Sequence, residues 1–191
     1  MTTAQMARAP QATQTEEVAG DKALDQSHAF DFLYGKWTMH NRRLVQRLAD
    51  SHEWVEFPST VDCRPLPNGM GNEDVYRTEY WPNFVGLTFR FYNPDNKQWS
   101  LYWIDNRNMP GVLQVPVVGS FTDGVGIFEG PDEFNGQPIL VRYTWVVLDA
   151  EHARWEQAFS PDAGKNWETN WSMDFTRVRS EERRVGKECR L

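Results

Sequence analysis

The chain has 191 residues and a formal net charge of −7, an acidic balance that disfavours nucleic acid or an anionic membrane as a partner. Its nine Trp and eleven Phe are spread along the sequence instead of following helical heptads, and this distribution favours β-strands. The sequence contains no run of about eighteen apolar residues, the length needed to span a bilayer, and no recognisable secretory signal. We therefore expect a cytoplasmic protein.

The two ends of the chain differ in composition from the middle. Residues 1–24 contain few large apolar side chains, so we expect them to be disordered. Residues 179–191 resemble the translation of a sequencing-adapter read-through, and we expect this tail to be non-native. Without the tail, Cys63 is the only cysteine, which excludes an intramolecular disulfide and agrees with a reducing compartment. One folded domain is therefore expected over residues 25–178.

Short alternations of polar and apolar residues, separated by turn residues, recur along this domain. The stretch from His28 to Trp37 predicts one short helical turn, which Gly35 ends before the first strand. Pro58 weakens the second strand and predicts an edge or a bulge there. Asp-Gly at 123–124 predicts a tight hairpin. The strands before the last hairpin are predicted at 37–44, 54–63, 71–80, 86–91, 99–105, 116–122, 124–130 and 139–148.

The last hairpin is predicted within residues 154–171. There Ser160, Asp162, Gly164 and Trp167 form the Ser-x-Asp-x-Gly-x-x-Trp pattern of an Asp-box. In such a turn the Ser and Asp side chains accept hydrogen bonds from nearby backbone N–H groups, and glycine supplies a positive φ. One copy of the pattern indicates a fold and does not identify an enzyme. The strand after this turn completes a set of roughly ten strands.

Consecutive hairpins without a long helix predict an all-β fold. We expect an up-and-down antiparallel β-barrel of about eight to ten strands with a short N-terminal helical turn. Closure of the sheet into a barrel removes the exposed edge strands that an open sheet would present. A barrel of this size encloses room for one small ligand, and the polar loop at 105–115 is expected at its mouth.

Several stretches of the sequence carry a resemblance to a known family. The most specific are Trp-Glu-Gln-Ala-Phe-Ser at 155–160 and Trp-Glu-Thr-Asn-Trp at 167–171, and Gly-Lys-Trp at 35–37 opens the first strand. With these motifs the chain resembles a widespread bacterial family of calycin-like (lipocalin-like) barrels over residues 30–178. The resemblance implies a calycin-type barrel in which the first Trp packs across the closed end, and it implies no particular activity.

Several polar side chains are embedded in strands that otherwise consist of large apolar residues. If they face the interior they could bind a ligand, and an arginine could hold a carboxylate through two parallel hydrogen bonds. Alternatively they lie on a solvated outer face or form structural ion pairs. The register of the loop at 149–152, which decides which way the strands beside it face, is left open by the sequence. The candidates are Arg42, Arg90, Tyr102, Arg142, Glu156 and Asn170.

The mouth loop and the tryptophans add further candidates. Asp105, Asn106 and Arg107 could bind a polar end of a ligand, although a turn in which Asp105 and Asn106 bond their own backbone is an equal alternative. Tryptophans could stack on a flat ligand or could simply belong to the core. The tryptophans considered for stacking are Trp37, Trp103, Trp145, Trp155 and Trp171.

Named catalytic and metal-binding motifs are absent from the sequence. The four His show no metal-ligand spacing, so we expect no metal and no cofactor. Our first hypothesis is a monomeric or homodimeric barrel that binds a small, partly apolar molecule, with an anionic group as one option. The second is a cofactor-free isomerase, cyclase or hydrolase in which Glu156, Tyr102 and Arg142 supply acid/base and oxyanion groups. The third is a structural or interaction domain with a filled barrel.

Overall fold

The computed structural model of the protein describes residues 25–108 and 110–179. The segment expected to be disordered, 1–24, lies outside the described residues. The same holds for the whole of the expected non-native tail except Arg179.

Strands dominate the described part of the chain. Three short 3-10 helices are present there, at Gln26–His28, Asp31–Leu33 and Pro67–Gly69. None of the helices in this part of the chain is long and apolar enough to cross a membrane. The strands are β1 (Gly35–Leu44), β2 (Trp54–Pro65), β3 (Gly71–Thr78), β4 (Phe84–Asn93), β5 (Gln98–Asp105), β6 (Val117–Thr122), β7 (Val125–Phe134), β8 (Gln137–Val147), β9 (His152–Ser160) and β10 (Glu168–Arg177).

These ten strands form one closed antiparallel barrel. Each strand pairs with the next along the chain, and β1 closes the barrel by pairing with β10, from Trp37 opposite Arg177 to Arg43 opposite Trp171. Because this ladder uses both edges of the sheet, no described strand is left as an exposed edge. The prediction of an all-β, up-and-down, calycin-like barrel with a short N-terminal helical turn is confirmed.

Two-residue turns fix the register on one side of the barrel. Asp123 (φ 50°) and Gly124 (φ 79°) form the turn between β6 and β7, where the sequence predicts it. Asn135 (φ 52°) and Gly136 (φ 77°) form the next turn in the same way. Such turns need two successive positive φ angles, which Asn-Gly and Asp-Gly adopt readily. β7 therefore continues to Phe134, beyond the predicted end at residue 130.

Pro58 lies within β2 but outside the ladder between β2 and β3. It pairs with His40 of β1, whereas the pairing of β2 with β3 begins two residues later, with Thr60 opposite Arg77. Proline has no backbone N–H to donate, so a position next to the end of a ladder suits it. This is the edge-like environment that the sequence predicts.

The Asp-box turn carries a compact set of side-chain hydrogen bonds. The Ser160 hydroxyl accepts from the N–H of Gly164 at 2.8 Å, and Asp162 accepts from the N–H of Asn166 at 2.9 Å. The indole N–H of Trp167 donates to the carbonyl of Gly164 at 3.0 Å. The hydrogen bonds from Asn166, backbone first and side chain second, lower the pKa of Asp162 to about 2. The turn is therefore tied together by a carboxylate that stays ionised well into acid.

The N-terminal helical turn fills one end of the barrel. Phe30 and Leu33 are completely buried, and Trp37 is 1% exposed. The indole N–H of Trp37 donates to the carbonyl of Leu33 at 2.8 Å, and that of Trp99 donates to the carbonyl of Gln26 at 2.8 Å. Because this plug occupies the closed end, the space for a ligand lies towards the opposite end.

The ladder between β5 and β6 is the shortest in the described barrel. Only Trp99, Ser100 and Leu101 of β5 pair with β6, although β5 continues to Asp105 along β4. Beyond Leu101, the described residues show one backbone hydrogen bond between β5 and the chain that leads to β6, from the N–H of Gln114 to the carbonyl of Trp103 at 3.2 Å. The barrel wall therefore has the fewest hydrogen bonds between neighbouring strands at the β5–β6 ladder, beside the open end.

Candidate functional site

A cavity of about 540 Å³ lies inside the barrel. This volume is within the range of about 300–1,000 Å³ that is typical of small-molecule sites. Arg107, Asn108, Asp132 and Glu133 border the cavity and are exposed, so they form its rim. The barrel is therefore plugged at one end and hollow at the other.

Aromatic side chains are the commonest kind in the cavity wall. The rings of Trp155 and Trp171 meet edge to face, with centroids 5.8 Å apart, and those of Trp145 and Phe175 lie 5.0 Å apart. Such rings offer broad apolar faces together with a few polar N–H and O–H groups. The indole and phenol rings of the wall include Trp81, Trp103, Tyr143, Trp145, Trp155 and Trp171.

Arg43 extends from β1 into the cavity. Its guanidinium carbon lies 5.3 Å from the centre of the Trp81 ring and 5.5 Å from the centre of the Trp171 ring. Within the described residues Arg43 makes no ion pair, and its Nε is buried without a hydrogen-bond partner. Burial lowers the pKa of Arg43. Arg43 is thus a partly buried cation that lies within cation–π distance of two indole rings and has no ion-pair partner among the described residues.

Arg47 borders the same cavity from the loop after β1. Its guanidinium carbon lies 4.6 Å from the centre of the Phe134 ring and 5.2 Å from that of Phe159. It also lacks an ion pair in the described part of the chain. Burial, and then repulsion from the charge of Arg43, lower the pKa of Arg47 to about 10. We call Arg43 and Arg47 the arginine pair.

Arg90 also borders the cavity, but its charge is compensated. Its NH2 group lies 2.6 Å from Oδ2 of Asp74, and its NH1 group donates to Oδ1 of Asn72 at 3.0 Å. All three side chains are buried, and Arg90 is 3% exposed. The guanidinium carbon lies 5.2 Å from the Phe30 ring of the plug. Arg90 therefore has both a structural ion pair and a place at the deep end of the cavity.

Asp105 organises the loop at the mouth. It accepts hydrogen bonds from the indole N–H of Trp103 at 2.9 Å, from the backbone N–H of Arg107 at 2.8 Å and from the backbone N–H of Asn108 at 2.6 Å. Burial alone would raise the pKa of Asp105, but these hydrogen bonds outweigh it, and the pKa lies below its ordinary value. Asp105 thus adopts the self-bonded turn, and it borders the cavity together with Trp103 and Arg107.

Three charged candidates lie on the outer face of the barrel. Alternation along each strand explains this, because their neighbours in sequence face the cavity. Arg42 is exposed and contacts Glu56 at 3.2 Å. Arg142 contacts Glu129 at 2.6 Å. Glu156 separates two residues of the cavity wall and so points the other way. These three side chains therefore take the outward alternative, and Arg142 forms its ion pair with Glu129.

The side chain of Tyr102 on β5 also faces outwards, like those of Arg42, Arg142 and Glu156. It borders the cavity, but its inward-facing neighbours are Leu101 and Trp103, so the alternation of the strand directs its ring outwards. Its ring lies 5.9 Å from that of Phe91. The acid/base set of the enzyme hypothesis is consequently not assembled inside the cavity.

Asn170 and Trp171 stand at an irregularity in β10, where the register shifts between Thr169 and Trp171. Asn170 is completely buried and accepts from Nε2 of Gln157 at 2.8 Å. It stabilises the bulge and does not border the cavity. Trp171 does border it, and its indole N–H donates to Oδ1 of Asn41 at 3.0 Å.

The arginine pair is the part of the site that the sequence analysis does not identify. Arg43 has a signal in the sequence, because it follows Trp37 and Met39 at intervals of two on the face of β1 that turns inwards. Arg47 lies in a loop, where side chains do not alternate between two faces, so the sequence does not indicate which way its side chain points.

Metal ligands are not brought together in residues 25–108 and 110–179, where no three His, Cys, Asp or Glu side chains form a group that could hold an ion. His28, His40 and His152 each contact a carboxylate at the surface instead.

Comparisons with known proteins concern the fold. No family model matches the sequence, and no curated protein matches it. Among solved structures, the barrel is similar to that of the S-type phycobiliprotein lyase CPES from Guillardia theta, with a TM-score of 0.55 and 11% sequence identity. The similarity covers 83% of this chain and 95% of that chain. At this identity the likeness shows the fold alone, and the fold is that of a calycin-like barrel.

Proposed function

We propose that the protein binds a small, partly apolar molecule with an anionic group inside its barrel. The observation that carries this proposal is the arginine pair, two cations on a cavity of about 540 Å³ that have no carboxylate at ion-pair distance among the described residues, although the charges of Glu168 and Asp132 act on Arg47 from farther away. A partly buried cation without a direct ion-pair partner is costly, and an anionic ligand would reduce that cost.

The geometry of Arg43 suits a carboxylate. The rings of Trp81 and Trp171 lie within cation–π distance of its guanidinium carbon. The terminal amino groups of Arg43 are in no ion pair within the described residues, and a guanidinium matches the two oxygens of a carboxylate. The apolar part of the ligand would then lie against the aromatic wall, to which the candidates Trp103, Trp145 and Trp171 belong.

The test compares variants of two neighbouring arginines, Arg43, which faces the cavity, and Arg42, which faces outwards. Dodecanoate, an apolar carboxylate, is titrated calorimetrically into the wild type, Arg43→Gln and Arg42→Gln. We expect Arg43→Gln to weaken binding about tenfold or more, because a charge-assisted hydrogen bond is lost. Arg42→Gln is the matched control, since Arg42 lies outside and should leave the affinity within about twofold. Equal effects of the two variants, or no binding at all, would refute the proposal. Native mass spectrometry of freshly purified protein would in addition reveal a copurifying ligand.

No specific observation favours the enzyme hypothesis, because the side chains of Glu156, Tyr102 and Arg142 do not meet in the cavity. A filled structural barrel is disfavoured by the cavity itself. We also propose that the protein is a cytoplasmic member of the bacterial calycin-like family that its motifs resemble, with one domain over residues 25–178, as a monomer or a homodimer. The motifs at 155–160 and 167–171, the acidic net charge of −7 and the buried thiol of Cys63 support this.

A further inference from the structure

A row of four cavity residues crosses four neighbouring strands of the barrel. Arg43 of β1 lies opposite Trp171 of β10, and Trp171 lies opposite Gln157 of β9. Gln157 in turn lies opposite Tyr143 of β8. All four residues border the cavity. Since neighbouring strands are about 4.8 Å apart, the row extends over roughly 14 Å of the wall from its first backbone position to its last. We call it the cavity row.

The hydroxyl of Tyr143 ends this row without a partner. Tyr143 makes no side-chain hydrogen bond within the described residues, and its oxygen is not one of the fully enclosed unpaired atoms there. The ring packs against that of Trp155, with centroids 5.0 Å apart, and burial raises the pKa of Tyr143, so the phenol is neutral. The side chain is nevertheless only half-buried, and on the inward face of β8 its exposed part faces the cavity.

Gln157 places an acceptor beside this hydroxyl. Its Nε2 donates to Oδ1 of Asn170 at 2.8 Å, a bond that fixes which end of the amide faces β10. The other end, the carbonyl oxygen, accepts no hydrogen bond in the described part of the chain and is not fully enclosed either. Side chains directly opposite each other on one face of a sheet have Cβ atoms about 4.5–5.5 Å apart. Gln157 and Tyr143 are therefore adjacent groups on the cavity wall.

The unpaired polar groups of the cavity row thus lie towards its two ends. At one end is the cation of Arg43. In the middle, the indole N–H of Trp171 is already used, because it donates to Oδ1 of Asn41 at 3.0 Å. At the other end are Gln157 and Tyr143, which carry no charge. We call Gln157 and Tyr143 the neutral pair.

A purely apolar ligand would be penalised at the neutral pair. It would displace water from both side chains and leave a donor and an acceptor unpaired, which is unfavourable in a buried site. A ligand carbonyl could accept from Tyr143 but could not donate to Gln157. A ligand hydroxyl could do both, because it has one donor hydrogen and two acceptor lone pairs.

We propose that the neutral pair is a second subsite, which binds a hydroxyl group of the ligand. The ligand class is then an apolar carboxylate with a hydroxyl in mid-chain, since the neutral pair and Arg43 are separated along the cavity row. This subsite rests on the proposed function, because the arginine pair binds the carboxylate from which the position of the hydroxyl is counted.

The test compares two acids that differ by one mid-chain hydroxyl. Dodecanoate and 6-hydroxydodecanoate are titrated calorimetrically into the wild type, Tyr143→Phe, Tyr92→Phe and Arg43→Gln. We expect Tyr143→Phe to lower the ratio of the affinity for the hydroxy acid to that for dodecanoate about fivefold or more, because only the hydroxy acid loses a hydrogen bond. Tyr92 of β4 packs against Trp99 and is not part of the cavity wall, so Tyr92→Phe should keep the wild-type ratio.

The ratio also separates the subsite from a general effect on folding. A variant that merely loosens the barrel weakens both acids by the same factor and leaves the ratio unchanged. If Tyr143→Phe does this, or changes neither affinity, while both acids still depend on Arg43, the hydroxyl subsite is refuted alone. An equal shift of the ratio in Tyr92→Phe refutes it as well. If neither acid binds, or neither depends on Arg43, the proposed function fails and the second subsite fails with it.

Discussion

The guanidinium carbon of Arg142 lies 3.8 Å from the centre of the Trp167 ring, on the outer face of the barrel. The same guanidinium contacts Glu129 at 2.6 Å. Arg142 of β8 therefore links the neighbouring strand β7 to the Asp-box turn between β9 and β10. This position gives it a structural role outside the cavity.

We expect Arg142→Ala to lower the free energy of unfolding by about 1 kcal/mol, from the loss of a partly exposed cation–π contact and ion pair. Urea denaturation measures this change. The affinity for dodecanoate, measured by calorimetry, should stay at the wild-type value because the side chain does not reach the cavity. A loss of affinity at unchanged stability would place Arg142 in the site after all.

Binding of an anion at the arginine pair should depend on pH in the alkaline range. The pKa of Arg47 is lowered to about 10, and an anion binds the protonated form more tightly. The affinity for dodecanoate should therefore be constant between about pH 7 and 9 and should fall as the pH rises through about 10. Calorimetric titrations at several pH values measure this, with far-UV circular dichroism to confirm that the protein stays folded.

The variant Arg47→Lys sharpens this test. Lysine has an ordinary pKa of about 10.4, well below that of arginine, and the same burial would lower it further. The loss of affinity should then begin at a lower pH than in the wild type. An identical pH profile for the two proteins would show that residue 47 does not bind the anion.

The contribution of the Asp-box to the free energy of unfolding should depend on pH in the acid range. The pKa of Asp162 is lowered from its ordinary value of 3.8 to about 2, so its ionised form stabilises the fold. This contribution is complete above about pH 4 and is lost as the pH falls towards 2. Asp162→Asn should accordingly have a lower urea midpoint than the wild type at pH 7, and the difference should shrink between pH 4 and 2. A difference that is independent of pH would contradict this account.

Gly86 of β4 is required by the ring of Trp103, which lies where a β-carbon would be. Gly86→Ala should displace that ring and weaken the hydrogen bond from its N–H to Asp105. We expect a loss of about 1–3 kcal/mol in the free energy of unfolding, as for other overpacked sites, together with a changed near-UV circular dichroism spectrum. An unchanged urea midpoint would mean that the wall tolerates the extra methyl group.

The fold was readable from the sequence because each hairpin carries local information. Asp-Gly at 123–124 and the Asp-box from Ser160 to Trp167 specify turns through their own side chains, and Asn-Gly at 135–136 carries the same signal for β7 and β8. Once all connections are hairpins, a closed up-and-down barrel is the simplest way to remove the edges.

The site was less predictable, because it depends on which face of each strand turns inwards. On β1 the answer was present in the sequence: Arg43 shares the face of Trp37, and Arg42 does not. For Arg142 and Glu156 the residue type suggests function, whereas the register of β8 and β9 directs both outwards. A period of two determines the relative facing of neighbours but not which set is buried.

The short ladder between β5 and β6 has a consequence for how fast a captured molecule is exchanged. Parting these strands beyond Leu101 breaks the backbone hydrogen bond at Gln114 and leaves the other ladders intact. Local opening of this kind needs far less free energy than global unfolding. The residence time of a bound ligand would then be set by the rate at which β5 and β6 separate beyond Leu101. A covalent crosslink between these two strands would slow both entry and release of the ligand and would leave its equilibrium affinity nearly unchanged.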